Sequence, residues 1–168
     1  CGVASNPLPI QSFKNSYASD PVSAFGGIVV CNFKIDLKLA LEINKTFFEV
    51  ILAKGFDKEA IKELKKKKNM RVIDISNIKL NNNLTTKIFD NSMLLQDKDK
   101  TIFNKKKLKF VTKIKPTKKE IKEIHFAFKV CKFIKSNAIV ITKDYSTIGI
   151  GAGQQNRLDS CKIATNKA

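Results

Sequence analysis

The sequence predicts an α/β fold. Short apolar runs of strand length alternate with helical stretches between Gly27 and Ile75. That strand–helix–strand–helix–strand order requires parallel crossovers, with helices laid over a sheet. A further strand pair and a closing helix near the C-terminal end belong to the same class. At 168 residues and 43% hydrophobic content, the chain reads as a single domain, 1–168, able to bury a core.

Gly27 to Phe33 reads as a buried strand and Asp36 to Lys45 as a helix, with Leu37, Ala40, Leu41 and Asn44 on one face and Leu39 and Ile43 beside it. Glu49 to Ala53 is a second strand, broken by Gly55. Asp57 is placed to cap a helix running to about Lys66, and Met70 to Ile75 is a third strand. Asn77 to Lys87, with Asn81-Asn82-Asn83, reads as a polar surface loop or a poorly formed edge. Ser92 to Asp97 is a strand candidate, Lys98 to Lys107 is charged and irregular, and Leu108 to Thr112 is a short extended piece.

Pro116-Thr117-Lys118-Lys119-Glu120 is a helix start with a capping box between Thr117 and Glu120. Ile121, Ile124, Phe128 and Cys131 follow at helical spacing, and His125 reads as a packing residue at the face boundary. Asn137 to Thr142 and Thr147 to Ile150 read as a hairpin turned at Lys143-Asp144-Tyr145-Ser146. Gln154 to Ala164 is the closing helix.

The net charge is +17, yet Arg71 and Arg157 are the only arginines. Nucleic-acid readers favour arginine for bidentate contacts. Lysines spread over the chain, with abundant Asn, Ile and Phe, fit codon drift in an AT-rich genome and a solvated surface. Lys65 to Lys68 and Lys105 to Lys107 read as exposed element ends. No apolar run is long enough for a membrane span, and the start has no signal-peptide character. Cys1, Cys31, Cys131 and Cys161 form no C-x-x-C pair and lie apart from His125, which argues against zinc and for a reducing cytosol. The chain does not start with Met and reads as a piece of a longer protein.

The densest motif is Ile148-Gly-Ile-Gly-Ala-Gly-Gln-Gln-Asn-Arg157. Glycine permits close approach of a ligand or of another backbone, and a helix start suits an anion. The spacing fits neither a dinucleotide fingerprint nor a P-loop. A tight strand-to-helix turn without a ligand explains it equally well.

This motif follows, in order, Asp20-Pro-Val-Ser-Ala-Phe-Gly-Gly27, Phe48-Glu-Val-Ile-Leu-Ala53, Leu95-Gln-Asp97 and Lys135-Ser-Asn-Ala-Ile-Val140. Together they resemble the formyltransferase domain of the bifunctional AICAR transformylase/IMP cyclohydrolase family, over nearly the whole chain. Cys1-Gly2-Val3-Ala4 resembles the tail of that family's Lys-His-x-Asn-Pro-Cys-Gly motif.

The resemblance implies an enzyme of purine (IMP) biosynthesis that moves a formyl group from 10-formyltetrahydrofolate, its co-substrate, to AICAR. It implies a cytoplasmic homodimer needing no metal, with no membrane or nucleic-acid partner. The implied fold is an α/β/α sandwich of cytidine-deaminase-like type without the deaminase zinc. Phe25, Gly26, Glu49, Asn137 and Arg157 match substrate-binding positions, and Leu158 a folate-side position. Phe25 reads equally as core. A carboxylate opening an apolar strand, as Glu49 does, needs a partner or water. Asn137 offers an amide donor and acceptor to a carboxamide, and Arg157 a planar fork to phosphate.

The family's catalytic Lys-His pair matches no residue here and is expected just before Cys1. The chain corresponds to the first half of the transformylase region, without the cyclohydrolase domain, and is expected to be inactive alone. A basic RNA-binding or ribosome-associated domain, or a degenerate non-catalytic copy, are the competing readings.

Overall fold

A computed structural model describes residues 1–79, 83–100, 103–104 and 107–168. Asn81, Asn82, Lys105 and Lys106, from the polar insert and the second lysine run, lie outside the described residues.

The order is α1 (Pro9–Ala18), β1 (Gly27–Cys31), α2 (Leu37–Ile43), β2 (Phe48–Ala53), α3 (Lys58–Leu64), β3 (Arg71–Asp74), β4 (Leu84–Phe89), β5 (Ser92–Asp97), α4 (Lys118–Cys131), β6 (Ile139–Lys143), β7 (Ser146–Gly151) and α5 (Arg157–Lys167). β1, β2 and β3 form a parallel sheet in that order, and β4–β5 and β6–β7 are antiparallel hairpins. The structure is of the α/β class.

The core lies on one face of the parallel sheet. In register, Val29 stands beside Ile51 and Val72, and Cys31 beside Ala53. Onto Cys31, Ile51 and Ala53 pack Leu39, Ala40 and Ile43 from α2 and Ala60 and Leu64 from α3. Full burial of such side chains contributes about 1.5–3 kcal/mol each. α1 closes the end of this core. Phe13 stacks on Tyr17 at 6.0 Å and meets Phe48 edge-on at 6.1 Å. Sequence reasoning assigned nothing to α1, although Pro9 at its first turn and the Ile10–Phe13–Tyr17 spacing were a legible signal. The opposite sheet face is bare, because Ile28 and Val30 are each 66% exposed.

Local chemistry explains the element ends. Asp36 caps α2 by accepting from the Leu39 N–H at 2.8 Å. Asp57 stands at the cap of α3 but accepts no cap bond. Its carboxylate is instead 2.5 Å from Lys34 Nζ, correcting the expected cap. Gly55, at φ +103°, turns the chain so that Ile35 pairs across Phe56.

One further expectation is corrected. The stretch to Lys87, read as a polar loop or a poorly formed edge, enters a strand at Leu84, because Asp90-Asn91 makes a two-residue turn with Asp90 at φ +42°. Leu108 to Thr112, expected as a short extended piece, lies in no helix or strand. The Thr117–Glu120 capping box is present, with the Thr117 N–H donating to Glu120 at 2.7 Å. Yet no residue of α4 is fully buried, and Phe128 is 55% exposed. His125 packs on Phe103 with ring centroids 4.6 Å apart.

Burial pushes the Cys31 thiol up to about 11. At pH 7 about one such thiol in ten thousand is ionised. Thiol labelling of the native protein should therefore modify exposed Cys161 and spare Cys31 until unfolding. Native-state labelling of Cys31 at the rate of Cys161 would contradict this packing.

Candidate functional site

The residues singled out from sequence fall into two groups. The first is built where β1 and β2 begin. Gly26 adopts φ +71°, a conformation that disfavours side chains, and its N–H donates to the Phe47 carbonyl at 2.9 Å. A Cβ at Gly26 would stand 4.0 Å from Glu49 Oε1, so the carboxylate lies beside this bare backbone. Glu49 is exposed, which removes the burial cost expected for it at the strand start. Phe25 is 71% exposed and leans on Phe47 at 5.7 Å. Within the described residues it is not part of the core. In the same motif, the Ser23 backbone N–H holds the Asp20 carboxyl below the usual carboxylate range, and Lys167 Nζ lies 3.6 Å away.

The second group forms where β7 hands over to α5. The Lys135–Asn137 segment clasps the glycine run. The Gly153 N–H donates to the Lys135 carbonyl at 2.7 Å, and the Asn137 N–H to the Gln154 carbonyl at 3.2 Å. Asn137 Nδ2 donates to the Gln154 and Gln155 carbonyls, both at 3.0 Å. Ser160, fully buried, donates its hydroxyl to the Asn137 carbonyl at 2.7 Å. The donor half of the Asn137 amide is thus spent within the chain, correcting the expectation that both halves face a ligand. Oδ1 is left as its acceptor. Two residues beyond Gln155, exposed Arg157 opens α5, and Leu158 beside it is 62% exposed.

The glycine run corrects the sequence reading in another way. Gly149 lies in β7 as expected, and the strand runs on through Gly151, which was read as part of the turn. A Cβ on Gly149 would fall 2.0 Å from the Ala164 carbonyl oxygen, and one on Gly151 1.9 Å from that of Ser160. These glycines admit the chain's own helix, not a ligand. Only Gly153, at φ +64° with open space around it, serves the turn. The closing helix begins at Arg157, not Gln154, because the Asn156 side chain caps it by accepting from the Asp159 N–H at 2.8 Å. That bond occupies one of the amide donors expected to favour an anion.

Among the described residues, no hydrogen bond, ion pair or ring contact joins Phe25, Gly26 or Glu49 to Asn137, Arg157 or Leu158, although the Asp20–Lys167 ion pair ties the first motif to α5. A groove of about 540 Å³ runs between β1, α1 and residues 1–4, and none of the six nominated residues lines it. Among the described residues, no three His, Cys, Asp or Glu side chains come together as metal ligands. No described helix is long and apolar enough to cross a membrane.

Comparison with known proteins returns one consistent pattern. The model of the AICARFT/IMPCHase bienzyme family matches residues 1–167. The bifunctional purine biosynthesis proteins PurH of Trichodesmium erythraeum and Aquifex aeolicus are each 44% identical over 168 residues, all of this chain and 32% of each relative. PurH of Buchnera aphidicola subsp. Schizaphis graminum is 44% identical over 169 residues, 99% of this chain and 32% of the relative. The chain therefore spans about a third of the length of these curated relatives.

Proposed function

The chain belongs to the AICARFT/IMPCHase bienzyme family, and from that premise we propose that it supplies one wall of a formyltransferase site in purine biosynthesis. The substrates are AICAR and 10-formyltetrahydrofolate, and the complete protein is a cytoplasmic homodimer of cytidine-deaminase-like sandwich fold, acting without a metal. The supporting observation is the corner between β7 and α5. Hydrogen bonds from Asn137 to residues 154 and 155 set its Oδ1 beside the turn that presents Arg157.

In this reading Oδ1 accepts from the carboxamide N–H of AICAR, fixing the ring plane. Arg157 holds the phosphate through two donors of its fork. Phe25, Gly26 and Glu49 contact the nucleotide from the other group, and Leu158 borders the folate. The AICAR amine is a weak nucleophile, its lone pair shared with the ring. Orientation against the formyl carbon is therefore a large part of the catalysis. The amine nitrogen bonds to the formyl carbon, the bond from that carbon to the folate nitrogen breaks, and the proton lost by the amine ends on that folate nitrogen. The family's Lys-His pair, which would manage that proton, matches no residue of this chain.

Calorimetric titration of AICAR into the full-length protein tests the assignment. Arg157→Lys keeps the charge but loses the fork. It should weaken binding on the order of tenfold with little change in melting temperature. Arg157→Ala should weaken it further. Unaltered affinity in both variants would refute the nucleotide role of Arg157.

A further inference from the structure

Among the described residues the parallel sheet stops at β1, which pairs with β2 on one side only. Residues from both of its faces, Ile28 and Val30 as well as Val29 and Cys31, line the groove beside it. The groove therefore follows the strand's unpaired edge. Its far wall, residues 1–4, is already strand-like. The Thr147 N–H donates to the Val3 carbonyl at 2.9 Å, Ala4 bridges Ser146 in antiparallel register, and the Ser5 N–H donates to the Tyr145 carbonyl at 2.8 Å. An apolar slot thus separates two backbone edges of extended conformation.

Free strand edges are normally guarded by charge, proline or a covering element, because alternate N–H and C=O groups face outward. Gly27–Cys31 carries no charge and no proline, and Ile28 and Val30 are two-thirds exposed. Five residues of strand span about 17 Å, a length one added strand can match. The curated relatives are about three times as long as this chain, so most of a full-length protein lies outside it. Cys1 itself lines the groove and Ala168 does not. We propose that in the full-length protein a β-strand from the polypeptide preceding Cys1 fills this groove and hydrogen-bonds along the open edge of β1, joining the parallel sheet to the β6–β7 layer.

This rests on family membership and relative length, not on the choice of substrate. It is tested by the structure of the full-length protein together with hydrogen exchange in solution. A strand preceding Cys1, paired to β1, is expected. The Ile28–Cys31 amides should then exchange at least 100-fold more slowly than those of the exposed β4–β5 hairpin. An open β1 edge, or one covered by a second copy or by residues following Ala168, would overturn the proposal. So would Ile28–Cys31 exchange as fast as the hairpin's.

Discussion

Gly151→Ala should unfold the C-terminal layer. The new methyl would sit 1.9 Å from the Ser160 carbonyl oxygen, a backbone atom held in α5. A flexible side chain could rotate away, but a helix backbone must be displaced whole. Overpacking a well-filled core costs about 1–3 kcal/mol. A backbone clash of this depth belongs at or beyond the upper end, on the order of 3 kcal/mol. Gly149→Ala meets the Ala164 carbonyl in the same way and should cost as much. Gly153→Ala is the control. It has open space and only its positive φ to lose, for a cost of about 1 kcal/mol. Urea denaturation of the three variants checks the order. A Gly151→Ala protein as stable as the parent would show that α5 does not pack as described.

Asn137→Ala should have the largest effect on turnover. It removes the two donors that clamp the 154–155 carbonyls and the acceptor assigned to the carboxamide. Losing a hydrogen bond and leaving its partner unpaired costs on the order of 1–3 kcal/mol. The stability loss should stay near the low end, since backbone bonds from Gly153 and Asn137 still hold the clasp. Formyl transfer by the full-length protein should fall about 100-fold, because the substrate loses its orientation and the turn loses its shape. Measured kcat and melting temperature together decide the matter. A folded variant with parental turnover would leave Asn137 a structural clasp alone.

The parallel unit was legible because each element announced itself locally. Apolar runs gave the strands and Gly55 gave a break, whereas a cap was sought at Asp57, on α3, and is made instead by Asp36, on α2. The capping box at Thr117 and the hairpin turn at Asp144-Tyr145, both at positive φ, were legible for the same reason. What sequence could not show was the neighbour of each glycine. Gly149 and Gly151 look identical to ligand-approach glycines until the helix that fills their space is placed. Asn137 was found by motif, but its donors were assigned to a ligand because the partner carbonyls lie 17 and 18 residues away. Glu49 looked costly because exposure of one sheet face is a tertiary fact. The β4 strand was hidden by its asparagine-rich approach, and only its partner across the Asp90-Asn91 turn reveals it.

The β4–β5 hairpin has all twelve of its residues exposed. None of them belongs to the buried core cluster. Leu84, Leu94 and Leu95 are still about half covered, at 43%, 52% and 53% exposed, so opening the hairpin gives up some apolar contact. It gives up far less than opening the α2–α3 layer, whose Leu39, Ile43 and Leu64 are fully buried. The hairpin is therefore the part of the described chain expected to open first, while the parallel sheet stays intact.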